Sequence, residues 1–427
     1  MAAPATPASR NGCEKIVGWA KYSRPTSESK AVSLELVDRE YLAHRPNGSA
    51  GTGPETASWR FVNAKPYNPM LDTDNPENYL VLVEPTERST TPLMAVASKR
   101  HALEHLLQQR VLVLDGAMGT MVQSLGLTES DVRGERFVQH PKSLRNFIDL
   151  LCLTRPAAII EIHRQYLEAG ADLVETNTFG SNPIAMRDFE LESLAQEINV
   201  AAARCARQAV DEFNQRTPDQ PRFVAGSIGP TSKTASISPR VDDPGYRAVT
   251  FDQLVESYYL QVDALIAGGV DLLFPETTFD TLNLKACLFA IDKFFIEHNV
   301  RVPVMASVTI TDASGRTLSG QTIEAFWNSI SHFDLLSVGI NCALGPERMR
   351  PYVEELSRLT PVYTSCHPNA GLPNEFGGYD ESPAQMCAVL REFVANGWLN
   401  IVLLDPESHI TYEGLCVCLH RKVGPIK

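Results

Sequence analysis

The sequence predicts an α/β chain folded as a (β/α)₈ TIM-type barrel, with a largely irregular N-terminal extension and an atypical C-terminal tail. Three observations carry that reading. From Lys99 onward, stretches with apolar residues at three- and four-residue spacing alternate with short apolar runs, which is the pattern of helical crossovers in a parallel sheet. Eight such runs fall within about 300 residues, the count and length of a closed barrel. No glycine-rich phosphate loop follows the first run, so the rival, an open doubly wound sheet, lacks its usual mark.

The expected strands are Val111–Leu114, Leu173–Thr176, Phe223–Ser227, Leu272–Pro275, Val304–Thr309, Leu335–Ile340, Val362–Ser365 and Leu399–Val402. The intervening helices include Ala157–Ala169, Leu194–Phe213, Asp252–Ala267, Thr281–His298, Pro346–Leu359 and Pro383–Ala395. One internal echo supports the repeat. Residues 168–176 and 267–277 each run from a helix end through Gly and Asp into a strand and then Glu-Thr. Glycine just past a helix is its usual stop. The echo puts Glu175 and Glu276 at equivalent strand ends.

Residues 1–93 are rich in Pro, Ser, Thr and Asn and have no sustained period. They are expected to be an irregular, disordered leader, with two short runs, Val32–Val37 and Tyr79–Val83, able to form strands. The barrel is assigned to residues 94–402, with Met94 just before the first clear helix as a candidate start. The tail is assigned to residues 403–427.

Bulk properties exclude several function classes. The chain has 427 residues, 44% hydrophobic and 21% charged, enough for a large core. Its formal charge is −13 and it has no basic stripe, which argues against a nucleic-acid partner. No apolar run reaches the roughly 18 residues of a membrane span, and the N-terminus lacks the apolar stretch of a signal peptide. Nine scattered cysteines suit reduced thiols in a cytoplasmic protein better than a disulfide framework.

Barrels of this kind bind ligands at the C-terminal ends of their strands. After the first strand comes Asp115-Gly116-Ala117-Met118, where glycine lets backbone amides approach a carboxylate; a plain tight turn is the rival reading. Glu175-Thr-Asn177 and Glu276 follow the second and fourth strands and can accept from an ammonium, against the alternative of helix caps or ion pairs. Ser227 ends the third. Cys342 follows the sixth strand, as a metal ligand, a nucleophile or a small hydrophobe. Cys366 and His367 follow the seventh. Adjacent residues of a strand face opposite ways, so at most one of them faces the mouth.

Six of these segments stand in the order found in a known family. They are Leu114-Asp-Gly-Ala-Met-Gly-Thr120, Glu175-Thr-Asn-Thr-Phe179, Gly226-Ser-Ile-Gly-Pro230, Pro275-Glu-Thr-Thr-Phe-Asp280, Gly339-Ile-Asn-Cys-Ala343 and His367-Pro-Asn-Ala-Gly-Leu-Pro373. Over about Lys99 to Val402 the chain resembles the homocysteine-binding module of cobalamin-dependent methionine synthase, in the homocysteine S-methyltransferase family. The resemblance implies transfer of a methyl group to homocysteine, giving methionine, with the thiol activated on a catalytic Zn²⁺. Amides at Gly116, Ala117 and Met118 would cradle the substrate carboxylate, Glu276 would hold its amine, and Glu175, Asn177, Asp115 and Ser227 would line the same mouth. Cys342 would be the first zinc ligand, catalytic through the metal it holds. Methylcobalamin would enter only as a methyl donor carried elsewhere, by a separate cobalamin- or folate-binding protein. A small-donor enzyme using betaine or S-methylmethionine is the alternative.

The chain departs from the family after the eighth strand. The family's adjacent Cys pair is replaced by Leu403-Leu-Asp-Pro-Glu-Ser-His409, and the next thiols are Cys416 and Cys418. Three readings stay open: Cys416 and Cys418 complete the zinc site; the tail is a variant product; or homocysteine binds without methyl transfer.

Overall fold

The computed structural model describes residues 91–116, 118–311, 314–341, 345–369 and 382–403, and two short strands near the N-terminus. Those two, Ala20–Tyr22 and Leu34–Leu36, pair antiparallel. They belong to a unit of residues 1–90, separate from the unit that starts at Thr91. The candidate strand Leu34–Leu36 thus lies within the expected run Val32–Val37, whereas Tyr79–Val83 lies outside the described residues.

The second unit is a (β/α)₈ TIM-type barrel. Its strands are β1 (Leu112–Leu114), β2 (Leu173–Glu175), β3 (Phe223–Ile228), β4 (Leu272–Pro275), β5 (Met305–Val308), β6 (Ser337–Asn341), β7 (Tyr363–His367) and β8 (Ile401–Leu403). They pair in parallel in the order β4-β3-β2-β1-β8-β7-β6-β5. Bridges Leu273–Val304 and Thr278–Val308 join β4 to β5 and complete the ring.

Helix α1 (Thr91–Gln109) precedes β1, so the first helix begins three residues before Met94. The main crossover helices are α2 (Pro156–Glu168), α3 (Ala195–Arg216), α4 (Phe251–Gly268), α5 (Thr281–His298), α6 (Ile323–Ile330), α7 (Pro346–Leu359) and α8 (Pro383–Ala395). Helix α6 was not among the expected helices, although Ile323, Phe326, Trp327 and Ile330 are spaced for one buried face. Its eight residues make only two turns, short enough to escape a reading of longer periodic stretches.

Local chemistry explains the helix ends. Thr250 and Gln253 form a reciprocal capping box at the start of α4, and Gly269 beyond its end takes φ +97°. Asp280 caps α5 by accepting from the Leu282 and Asn283 amides.

The sequence echo has a structural basis. Gly170 and Gly269 both adopt positive φ after a helix, and the Asp two residues later clamps a neighbouring strand. Asp172 accepts from the Val113 amide at 3.0 Å and from Arg110, and Asp271 accepts from the Val224 amide at 2.8 Å and from Arg207. Each buried carboxylate therefore fixes where two strands begin to pair.

Strand alternation sorts side chains into two layers. Val113, Val174, Val224, Leu273, Ala306, Val338, Cys366 and Val402 pack outward, in one cluster with the helices. Leu112, Leu114, Leu173, Phe223, Ala225, Leu272, Phe274, Met305 and Ile401 fill the barrel, and Leu103 and Leu107 of α1 join that cluster. The interior is thus mostly apolar, with Ser337 and Ser365 among its buried exceptions, and most of its polar residues gather at the C-terminal ends of the strands.

Candidate functional site

The C-terminal mouth holds a chain of hydrogen-bonded polar side chains contributed by successive strands. Ser227 at the end of β3 donates to Oε1 of Glu276, just after β4. Glu276 also shares a hydrogen bond with the Glu175 carboxyl from β2. Thr277 donates to Oε2 of Glu276 at 3.3 Å, and Asn341 of β6 donates to Thr277 Oγ1 at 2.5 Å. Thr309 donates to Asn341 Oδ1 at 3.2 Å. The chain spans β2 to β6, roughly half of the rim.

Glu175 and Glu276 are not at strictly matching positions. Glu175 is three residues after its clamping Asp and Glu276 is five after its own, an even offset that keeps both on the interior face. Desolvation raises the Glu276 carboxyl above its ordinary pKa, the hydrogen bonds from Ser227 and Glu175 oppose this, and the charge of Asp115 adds to the rise. Two carboxyls in hydrogen-bond contact share a proton readily, and a cation arriving between them releases it.

Thr277 has φ +58°, unusual for a β-branched residue. Three bonds hold it there: its amide donates to Ser307 Oγ at 3.1 Å, its hydroxyl donates to Glu276, and that hydroxyl accepts from Asn341. Strain of this kind persists where surrounding contacts over-determine it, and here it turns the chain so that Glu276 faces Ser227.

Asp115 is buried at the end of β1 and accepts from the Glu175 amide at 2.8 Å. Its Oδ2 lies 3.9 Å from Nδ1 of buried His163, too far for a hydrogen bond but close enough for charge attraction. Burial raises its pKa and His163 opposes the rise. Gly116 and Met118 are part-exposed, and Met118 opens the short helix Met118–Ser124. Asn177 is buried, and its amide donates to the Ile148 carbonyl at 2.9 Å, tying the loop after β2 to the segment before α2. Asp149, in that segment, accepts from the Gly180 amide at 2.8 Å and from Ser181 at 2.7 Å. Burial pushes its pKa up to about 6.

The structure thus brings together Asp115, Glu175, Ser227 and Glu276, and directs the Asn177 side chain to a backbone carbonyl beside them. Ala117, Cys342, Cys416 and Cys418 lie outside the described residues. Of the pair after the seventh run, Cys366 packs outward and His367 faces the interior, against Phe274 at 5.4 Å between ring centroids and 77° between planes. Thr277, Ser307, Thr309 and Asn341 were not named as site residues. Thr309 and Asn341 sit at the polar ends of apolar runs, so a reading by hydrophobicity stops at or before them.

Among the described residues, no group of three or more His, Cys, Asp or Glu side chains could hold a metal ion. No helix among them is long and apolar enough to cross a membrane.

Comparison with known proteins gives a family. The family model described as homocysteine S-methyltransferase matches residues 112–402, from the first residue of β1 into β8. Among solved structures, the homocysteine methyltransferase MmuM from Escherichia coli aligns in its metallated form with a TM-score of 0.56 and 20% identity, over 73% of this chain and 98% of its own. Its oxidized form aligns with a TM-score of 0.56 and 20% identity, over 76% and 99%. At that identity the structural likeness is one of fold.

Proposed function

Because the chain belongs to the homocysteine S-methyltransferase family over residues 112–402, we propose that its barrel mouth binds homocysteine and presents the sulfur for methylation to methionine. The observation that carries this reading is the Glu175–Ser227–Glu276 cluster. Among the described residues, the side-chain hydrogen-bond partners of Glu276 are Ser227, Thr277 and Glu175, none of them a cation, and Asp115 stands close enough to raise its pKa. A group of acids in this state, Asp115 buried and Glu175 and Glu276 half-buried, favours a bound cation, and the substrate ammonium supplies one. Amides at Gly116, Ala117 and Met118, beside β1, are assigned to the carboxylate, and Asn177 to holding the loop that carries Glu175.

Zinc enters the proposal through Cys342, with Cys416 and Cys418 as the remaining thiols of the chain able to follow β8. Bound zinc would convert the substrate thiol to a thiolate, the form that attacks a methyl group. The methyl donor is proposed to be methylcobalamin carried by a separate protein, as in the methionine synthase module, with betaine or S-methylmethionine as alternatives, and the setting is proposed to be cytoplasmic.

The test is calorimetry with L-homocysteine on the full chain and on Glu276→Gln, followed by methyl-transfer assays with each of the three donors. The proposal expects binding that weakens by about 10- to 100-fold in the variant, the effect of losing a charge-assisted contact of about 1.5–3 kcal/mol. It also expects homocysteine affinity to fall as pH drops and the raised carboxyls take up protons. Equal binding by both proteins would overturn the assignment of Glu276. Binding without turnover on any donor would select a barrel that holds homocysteine but lacks a complete metal site.

A further inference from the structure

The hydrogen-bonding capacity of the barrel interior is used unevenly. On the β2–β6 side, the mouth residues Ser227, Glu276, Thr277 and Asn341 are tied to one another. On the β6–β7 side, Nε2 of His367 and the hydroxyls of Ser365 and Ser337 are buried and reach no partner among the described residues. His367 and Ser365 are 3% and 1% exposed. Both face inward, because Cys366 between them packs among the helices, on the face opposite to theirs.

His367 is placed by its neighbours. Its Cα pairs with Asn341 on β6, and its ring stands edge-on to Phe274, two residues below Glu276 on β4. The imidazole therefore lies on the apolar floor of the barrel, under the mouth. Burial keeps it neutral, pushing its pKa down to about 3. A neutral imidazole offers a donor at one nitrogen and an acceptor at the other.

The position of β7 in the ring decides what His367 can meet. An amino acid whose ammonium sits between Glu175 on β2 and Glu276 just after β4, and whose carboxylate lies beside β1, has its side chain left to cross the mouth. Strands β6 and β7 stand opposite β2 and β3 in the order of the barrel. We propose that His367 is a specificity residue, whose Nε2 hydrogen-bonds the sulfur end of the bound amino acid and selects a thiol over a methyl group of similar size. This rests on the reading of the mouth as an amino-acid site.

Calorimetry on the full chain tests it with two ligands, L-homocysteine and L-norvaline, which carries CH₃ in place of SH. Measurements with and without EDTA remove any preference due to metal. The proteins are the wild type, His367→Phe, which keeps an aromatic ring against Phe274, and His367→Gln, which keeps a polar nitrogen. The wild type in EDTA is expected to prefer homocysteine by about 3- to 10-fold, the yield of one hydrogen bond. His367→Phe is expected to lose that preference with norvaline affinity within about twofold of wild type, and His367→Gln to retain part of it. A preference unchanged in His367→Phe, or absent from the wild type while both ligands bind, overturns the role of His367 and leaves the amino-acid site standing. Binding of neither ligand by the wild type overturns both.

Discussion

Asp149 shows how one buried carboxyl supports the site from behind. It gathers the Gly180 amide and the Ser181 hydroxyl, and so holds the loop that follows Glu175. Its folded pKa, about 6, lies above the ordinary carboxylate value, so between about pH 4 and 6 the folded chain binds more protons than the unfolded chain. Its contribution to stability is therefore fullest below pH 4 and is lost as pH rises through 6. Asp149→Asn keeps an acceptor for Gly180 and removes the titration. Urea unfolding of both proteins at pH 4.5, 5.5 and 7 is expected to show the variant gaining on the wild type as pH rises, by on the order of 2 kcal/mol overall. A constant difference would contradict the raised pKa. At the same scale, Thr277 illustrates why some site residues escape a linear reading. Nothing in Pro275-Glu-Thr-Thr announces a positive φ at a β-branched residue; it follows from Ser307 and Asn341, which lie 30 and 64 residues away in sequence.

Strands β6 and β7 show where element-level reading succeeds and where it stops. Both were legible as apolar runs, and both continue further than the runs, to Asn341 and His367. The inward residues of the extensions, Asn341 and His367, are polar because they reach the mouth, and they pair with each other across the two strands. Gly339 has a comparable hidden reason. A Cβ there would stand 1.9 Å from Ser365 Oγ and 2.6 Å from the Ser365 carbonyl oxygen. The absent side chain is what lets β6 and β7 approach with Ser365 turned inward. Gly339→Ala is expected to destabilise the barrel by about 1–3 kcal/mol, read by denaturant unfolding, and to lower homocysteine affinity by displacing Asn341 and His367. Unchanged stability and binding would mean that the strands have room to spare. Helix α1, ahead of β1, is a parallel case: its Leu103 and Leu107 join the cluster that fills the barrel, which their helical spacing alone does not specify.

On the scale of the whole molecule, the barrel separates support from chemistry along its axis. The N-terminal end is clamped by Asp172 and Asp271 and packed by α1, and the C-terminal end collects Asp115, Glu175, Ser227, Glu276, Asn341 and His367. Leu103→Ala is expected to cost about 2–5 kcal/mol, with little change in homocysteine affinity for the fraction that stays folded. Thermal melting and calorimetry on one preparation check both; a large affinity loss without a stability loss would place α1 in the site instead. The sequence by itself determined the eightfold alternation, the parallel sheet, the barrel and the strand ends at which to look. These follow from local periodicity and from turn and cap residues, which each short segment carries within itself. Only the tertiary structure decided that Glu175 and Glu276 meet over Ser227, that Cys366 packs behind the sheet while His367 enters the barrel, and that Asn177 turns to a backbone carbonyl. The reason is physical: the face a side chain takes depends on strand register, and register is settled between segments that lie far apart in the chain.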